Sequence, residues 1–156
     1  MHQPIRIRTA SLHDFERIVA LENLCFPQKH AYSRRQLRYL LTKANSTVLV
    51  GTTDSLVRGF IIILYRRGTT VAGIETVNVD PIHRKKGVGL RLLSAAEEHL
   101  RKKGIRKIRL EVSTTNHAAL KLYEHAGFQK TALLKKYYYY EHQGSRDAIR
   151  MVKELR

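Results

Sequence analysis

The hydrophobic positions fall into short alternations and helical stripes that follow one another almost without a gap. Residues 5–10, "IRIRTA", alternate with period two and predict a first strand. After Ser11, a favourable helix cap, Phe15, Ile18, Val19 and Leu21 recur at three-to-four spacing and predict a helix that Pro27 ends. "YSRRQLRYLLTKA" predicts a second helix, capped by Ser33, with Leu37, Leu40 and Leu41 as its apolar edge. "STVLVGT" and "LVRGFIIILYRR" predict two strands joined by a turn at Asp54-Ser55, and "VAGIETVNVD" (71–80) a fourth that Pro81 stops.

Residues 87–103 carry Val88, Leu92, Ala96 and Leu100 at i, i+4 spacing, with Leu93 widening the stripe and Gly104 as the stop. "IRKIRLEV" (105–112) predicts a strand with Ile108, Leu110 and Val112 on one face. "NHAALKLYEHAGF" (116–128) predicts a helix closed by Gly127. Two further strands, "QKTALLKKYYYY" and "DAIRMVKEL", flank a turn at Gly144, with two rings of the Tyr137–Tyr140 run buried and two exposed. The strand–helix–strand order over 71–112 implies an α/β fold with a partly parallel sheet. No repeat or linker interrupts the 156 residues, so one domain over 1–156 is expected.

Composition narrows the class. Hydrophobic residues at 43% and charged residues at 27% are ordinary for a globular chain. No apolar run reaches membrane-spanning length, so no membrane partner is expected. The opening "MHQPIRIRTA" lacks the apolar stretch of a signal peptide; its arginines would suit a transit peptide, but its alternation assigns it to the fold. A single cysteine, Cys25, excludes an intramolecular disulfide, points to a reducing, cytoplasmic setting and reads as a small buried hydrophobe. The eight histidines show no ligand spacing, so no metal is expected. The net charge of +16 predicts attraction to a phosphorylated cofactor, an acidic substrate or ribosomal RNA. No zinc finger, RNA-binding aromatic motif or basic zipper supports specific nucleic-acid reading. None of these features bears on oligomeric state.

The candidate chemistry begins at "RKKGVG" (84–89), between the fourth strand and the long helix. The first helical turn leaves backbone N–H groups unpaired and partly positive, which suits a phosphate. Glycines at 87 and 89 allow close backbone approach, and Arg84, Lys85 and Lys86 add attraction. A solvated basic helix start fits the same residues. The spacing is neither a Walker A motif nor a dinucleotide fingerprint.

The pattern Arg/Gln-x-x-Gly-x-Gly/Ala between a fourth strand and a long helix resembles the acetyl-CoA loop of the GCN5-related N-acetyltransferase (GNAT) superfamily. "LEVSTTNHAALKLYEHAGF" is similar to that superfamily's fifth strand and following helix. The resemblance covers nearly the whole chain. It implies a mixed central sheet of about seven strands flanked by about four helices, with acetyl-CoA as cofactor. Within the superfamily, "RLEVSTTN", "AYS" and "YYYYEHQGSRDAIRM" resemble RimI-type enzymes, which acetylate the N-terminal amine of a ribosomal protein; Tyr32 stands where a tryptophan is usual and Gln143 where an acidic residue is common. By this resemblance Val77, Asn78 and Val79 offer backbone groups to the pantetheine arm. Lys85, Lys86, Gly87, Val88, Gly89 and Leu90, with Arg84, wrap the pyrophosphate. Asn116 bonds the cofactor arm, Glu111 is the general base and Tyr123 the general acid. Tyr32, Glu75, Tyr138 and Tyr139 border the acceptor.

Acetyl transfer needs a neutral amine. Deprotonation at pH 7 costs roughly 1 kcal/mol for an α-amine (pKa ~7.8) and roughly 4–5 kcal/mol for a lysine (pKa ~10.4). One carboxylate suffices for the first. Glu75 is the rival base, sharing a parity with Val77 and Val79; Glu111 could instead be only a surface partner of Arg109, and Tyr123 only a core residue. Three functions stay open: a protein N-terminal acetyltransferase, a GNAT enzyme for a lysine or small amine, and a catalytically silent RNA-binding module.

Overall fold

The computed structural model describes residues 4–156; Met1–Gln3, read with the opening segment as part of the fold, lie outside it. The elements are β1 (Arg6–Thr9), a 3-10 turn (Leu12–Asp14), α1 (Phe15–Cys25), α2 (Arg34–Thr42), β2 (Ser46–Thr53), β3 (Leu56–Tyr65) and β4 (Val71–Val79). A second 3-10 turn (Pro81–His83), α3 (Val88–Lys102), β5 (Lys107–Ser113), α4 (His117–His125), β6 (Gln129–Leu134) and β7 (Ala148–Glu154) follow. The expected α/β fold of about seven strands and four helices is present: one seven-stranded sheet in the order β1-β2-β3-β4-β5-β7-β6. Every neighbouring pair is antiparallel save β4 and β5. Those two run parallel because α3 carries the chain back between them.

Each face of the sheet has its own core. Val88, Leu92, Leu93, Ala96 and Leu100 of α3 pack on Ile61, Ile63, Ile74, Ile108, Leu110 and Met151, joined by Leu120 and Tyr123 of α4. On the other face Phe15, Ile18 and Leu21 of α1 and Leu37 and Leu40 of α2 cover Val48, Val50, Phe60 and Ile62. Strand β3 supplies both layers, which is why its run "FIIIL" shows no alternation.

Local chemistry sets the boundaries. Ser33 accepts from Gln36 N at 3.1 Å while its own N–H donates to the Gln36 side chain at 2.8 Å, a reciprocal cap on α2. Asp54 and Ser55 both have positive φ (52° and 63°), the geometry of a tight two-residue hairpin. The first helix does not run on from Ser11 as expected: α1 begins at Phe15. The Asp14 carboxylate accepts from Ser11 N at 2.8 Å and from both Arg8 amino groups at 2.8 and 2.9 Å, tying the turn to β1. That arginine holds Asp14 below the ordinary carboxylate range.

The expected strand through Tyr140 also stops early. Strand β6 ends at Leu134, Lys136 turns left-handed (φ 52°), and its N–H donates to Asp147 at 2.9 Å. The tyrosines therefore lie in a loop. Tyr137, Tyr139 and Tyr140 are exposed and only Tyr138 is half-buried.

Candidate active site

Strands β4 and β5 pair only through Val71–Lys107, Ala72–Ile108 and Gly73–Arg109. Beyond Gly73 each keeps its outer partner, β4 with β3 up to Val79 and β5 with β7 up to Ser113, but the two no longer bond to each other. A wedge opens in the middle of the sheet, with backbone edges facing across it. Val77, Asn78 and Val79 stand on one wall and Glu111 on the other.

A bulge shapes the first wall. The β3–β4 register shifts from Ile62–Thr76 to Ile63–Ile74, so that Glu75 opposes no residue. This corrects the expected parity. Ile74, Val77 and Val79 pack with the α3 core, Thr76 and Asn78 are buried on the α1 side, and Glu75 lies exposed where the Tyr32 hydroxyl donates to it. One extra residue inverts the alternation, so Glu75 does not share a face with Val77 and Val79. Burial, reinforced by Glu75, raises the Tyr32 pKa.

The phosphate-type loop follows β4. The Asp80 carboxylate accepts from Ile82 N at 3.1 Å and from Arg17 at 2.7 Å, fixing the exit. Lys85 and Gly87 then adopt positive φ (62° and 84°), and α3 starts at Val88. The first helical bond is Arg91 N to Gly87 O at 3.0 Å, and none of the amides from Lys85 to Leu90 meets a backbone acceptor outside the helix among the described residues. Arg84, Lys85 and Lys86 are exposed beside them. Free amides, a helix start and three cations fit a diphosphate. The two glycines do different work. A Cβ on Gly87 would meet nothing within 4 Å, so its glycine answers to the left-handed backbone. A Cβ on Gly89 would come within 3.2 Å of Leu122, so its glycine also brings α3 and α4 together.

Glu111 is half-buried on the β5 face opposite Leu110 and Val112. Its Oε1 accepts from Arg150 Nε at 3.2 Å and pairs with Arg109 Nε at 3.5 Å. Its Oε2 has no hydrogen-bond partner among the described residues. Tyr123 is buried against Phe128, ring centroids 5.8 Å apart, and burial pushes its hydroxyl up to about 12. That hydroxyl finds no protein partner among the described residues, yet it is not sealed from solvent, so it stands free to donate. Asn116 caps α4, accepting from Ala119 N at 3.2 Å through Oδ1, which leaves its amide nitrogen available.

The β6–β7 loop reaches the segment between α1 and α2. His142 stacks on His30 at 3.6 Å and tilts over Tyr138 at 4.0 Å, linking this loop to the one before α2. Burial raises the Tyr138 pKa, with Tyr137 and Glu111 adding to it. Tyr139, expected beside it, stands apart at 84% exposure with its ring edge on Tyr140. Tyr137, not singled out in the sequence, takes that place. Its pKa is raised by burial and then by both Glu111 and Glu75, so it sits in the field of the two rival bases.

Two more residues escaped the sequence reading. Glu22 is fully buried in α1; it accepts from Asn78 Nδ2 at 2.6 Å and Tyr32 N at 2.9 Å, and burial raises its pKa. It pins Tyr32 to β4, and its signal was an acid on the apolar stripe, four residues after Ile18. Cys25, expected as a buried hydrophobe, is half-buried, and its thiol donates to Val79 O at 3.3 Å.

A family model described as the acetyltransferase (GNAT) family matches residues 15–128. The [ribosomal protein bS18]-alanine N-acetyltransferase of Escherichia coli is 38% identical over 80 residues, 51% of this chain and 53% of that enzyme. The match thus spans about half the length of that curated relative. The crystal structure of the E. coli ribosomal-protein-S18-alanine N-acetyltransferase superposes with a TM-score of 0.86, covering 97% of this chain and 94% of that one at 24% identity. A Bacillus subtilis acetyltransferase in complex with CoA gives a TM-score of 0.82 at 22% identity, covering 98% and 100%. At those identities the structures speak for the fold.

Proposed function

We propose that this chain, which belongs to the acetyltransferase (GNAT) family, transfers acetyl groups to the free α-amine at the N-terminus of a polypeptide, a ribosomal protein being one candidate acceptor. The acetyl donor is acetyl-CoA, which supplies an activated thioester carbonyl. The observation that carries the reading is the wedge, with a Glu111 oxygen on one wall that has no hydrogen-bond partner among the described residues.

Each step then falls to a named group. The open edge of β4 at Val77–Val79 offers an extended pantetheine arm the backbone groups that Cys25 and Arg84, both donating to Val79 O, leave unused, and the amides from Lys85 to Leu90 receive the diphosphate. Asn116 offers its amide nitrogen to the arm. Glu111, held by two guanidinium groups through one oxygen, takes the proton of the incoming ammonium on the other, directly or through water. An α-amine needs only roughly 1 kcal/mol for this at pH 7, so a single carboxylate is adequate. Tyr123 donates to the departing sulfur. Its pKa of about 12 lies roughly 3–4 units above an ordinary thiol's ~8.5. Full transfer from the resting tyrosine is therefore uphill, and its first service is a hydrogen bond that strengthens as charge builds on sulfur. Tyr32, Glu75, Tyr137 and Tyr138 line the side from which an acceptor enters, and the lone Cys25 suits a reducing, cytoplasmic setting.

The test is mass spectrometry of matched peptides incubated with acetyl-CoA: free N-terminus, blocked N-terminus, and blocked with an internal lysine. Acetylation confined to the free N-terminus is expected. Acetylation of the lysine peptide alone would move the function to side-chain amines.

A further inference from the structure

The open face of the sheet beside Glu111 carries an unbalanced charge. Leu110 and Val112 of β5 and Met151 of β7 point into the α3 core, so Lys107, Arg109, Glu111 and their register partners lie on the opposite face. That face is read in three rows. Lys107 opposes Glu154, Glu111 opposes Arg150, and Arg109 opposes Val152. The outer rows are balanced, and the middle row holds a cation with no acid across from it.

The arginines are also arranged to bind something further. Both reach Glu111 through Nε, at 3.5 and 3.2 Å, and onto the same oxygen. Their terminal amino groups make no other hydrogen bond among the described residues, so two planar forks stay available. Their side chains are 35% and 33% exposed, partly withdrawn from water, where a fork-to-carboxylate pair gains more than on an open surface. Two acids on the other wall are already engaged, Glu75 by the Tyr32 hydroxyl and Glu22 by Asn78 and the Tyr32 backbone.

We propose that Arg109 and Arg150 form a receptor for an acidic side chain of the acceptor, so that this enzyme's substrates are polypeptides with Asp or Glu at the second or third residue. The inference rests on the N-terminal reading above. An amine delivered to Glu111 Oε2 brings the next residues of an extended chain, spaced about 3.3 Å apart, across the two forks. A carboxylate there completes the unpaired row, whereas a lysine or arginine meets two cations. The net charge of +16 acts in the same sense at long range, drawing acidic chains toward the enzyme.

The experiment uses three lysine-free peptides with free N-termini, identical but for two aspartates, two serines or two arginines at positions two and three. Specificity (kcat/KM) is measured on the wild-type chain and on R109Q/R150Q, as the ratio between peptides within each protein so that any general loss of activity cancels. The wild type is expected to favour the aspartate peptide over the serine peptide by about tenfold. That preference should shrink with added salt and fall to within about twofold in the double variant. Should the double variant not fold, R109Q and R150Q singly replace it, and an aspartate preference unchanged in both overturns the receptor, since the net charge alone would then account for it. N-terminal acetylation with equal rates, or faster on the arginine peptide, overturns this inference and leaves the N-terminal reading standing. No N-terminal acetylation of any of the three overturns both.

Discussion

Glu111 and Glu75 face the same wedge but differ in what holds them. Glu111 has two arginines on one oxygen and, among the described residues, nothing on the other, while Glu75 sits on a bulge and receives the Tyr32 hydroxyl. The base should therefore be Glu111. Glu111→Gln keeps an oxygen for the arginines but cannot take a proton. It should lower kcat/KM for a peptide amine by about 10²–10³ at neutral pH while leaving acetyl-CoA affinity within about twofold. Thiol-release kinetics and calorimetry on the same preparation check the pair. Unchanged turnover, with collapse in Glu75→Gln instead, would assign the role to Glu75. At this scale residue type and the family resemblance nominate Glu111 and Tyr123 as a base and an acid, and the structure adds what each one touches. The sequence was silent where function comes from meeting across the fold. Nothing local marks Tyr137 as feeling the charge of two carboxylates, and Asn78 discloses its grip on Glu22 only once α1 is laid over β4.

At the scale of elements the hydrophobic periods located each strand and helix, because each stripe has one face to bury, though the strand expected through Tyr140 ends at Leu134. The failures were at the joints. Asp14 delayed the start of α1 by binding Arg8 and Ser11, Lys136 cut a strand short, and the bulge at Glu75 reversed an alternation that looked continuous. Such joints depend on side-chain bonds to distant partners, which periodicity does not record. Gly89 belongs here too, since its missing side chain serves the α3–α4 contact as much as the loop. Gly89→Ala should cost about 1–3 kcal/mol by crowding Leu122, seen as a lower unfolding midpoint, with acetyl-CoA still bound. Gly89→Asp adds a carboxylate beside the free amides and should abolish binding in calorimetry. Undiminished affinity in the aspartate variant would contradict the loop as a diphosphate cradle.

Across the whole molecule the dominant number is the excess of cations. Two of the three clustered at the mouth of α3 are lysines on exposed backbone, so their pull on a phosphorylated donor works through solvent and is screened by salt. The KM for acetyl-CoA should rise several-fold between about 50 and 500 mM salt while kcat changes little, since Glu111 and Tyr123 act at short range. A steady-state series in sodium chloride measures this, and a flat KM would mean that the loop amides alone hold the donor.

The parting of β4 from β5 has a consequence for durability as well as for chemistry. Past Gly73 the sheet is two flaps, joined by three residue pairs and the crossover through α3. An acetyl donor lying in the gap would act as the absent strand, and its binding free energy would be added to that of the folded chain. When the donor is scarce, the enzyme would then idle in its looser and more perishable form. The supply of acetyl groups would set how long each copy survives as well as how fast it works.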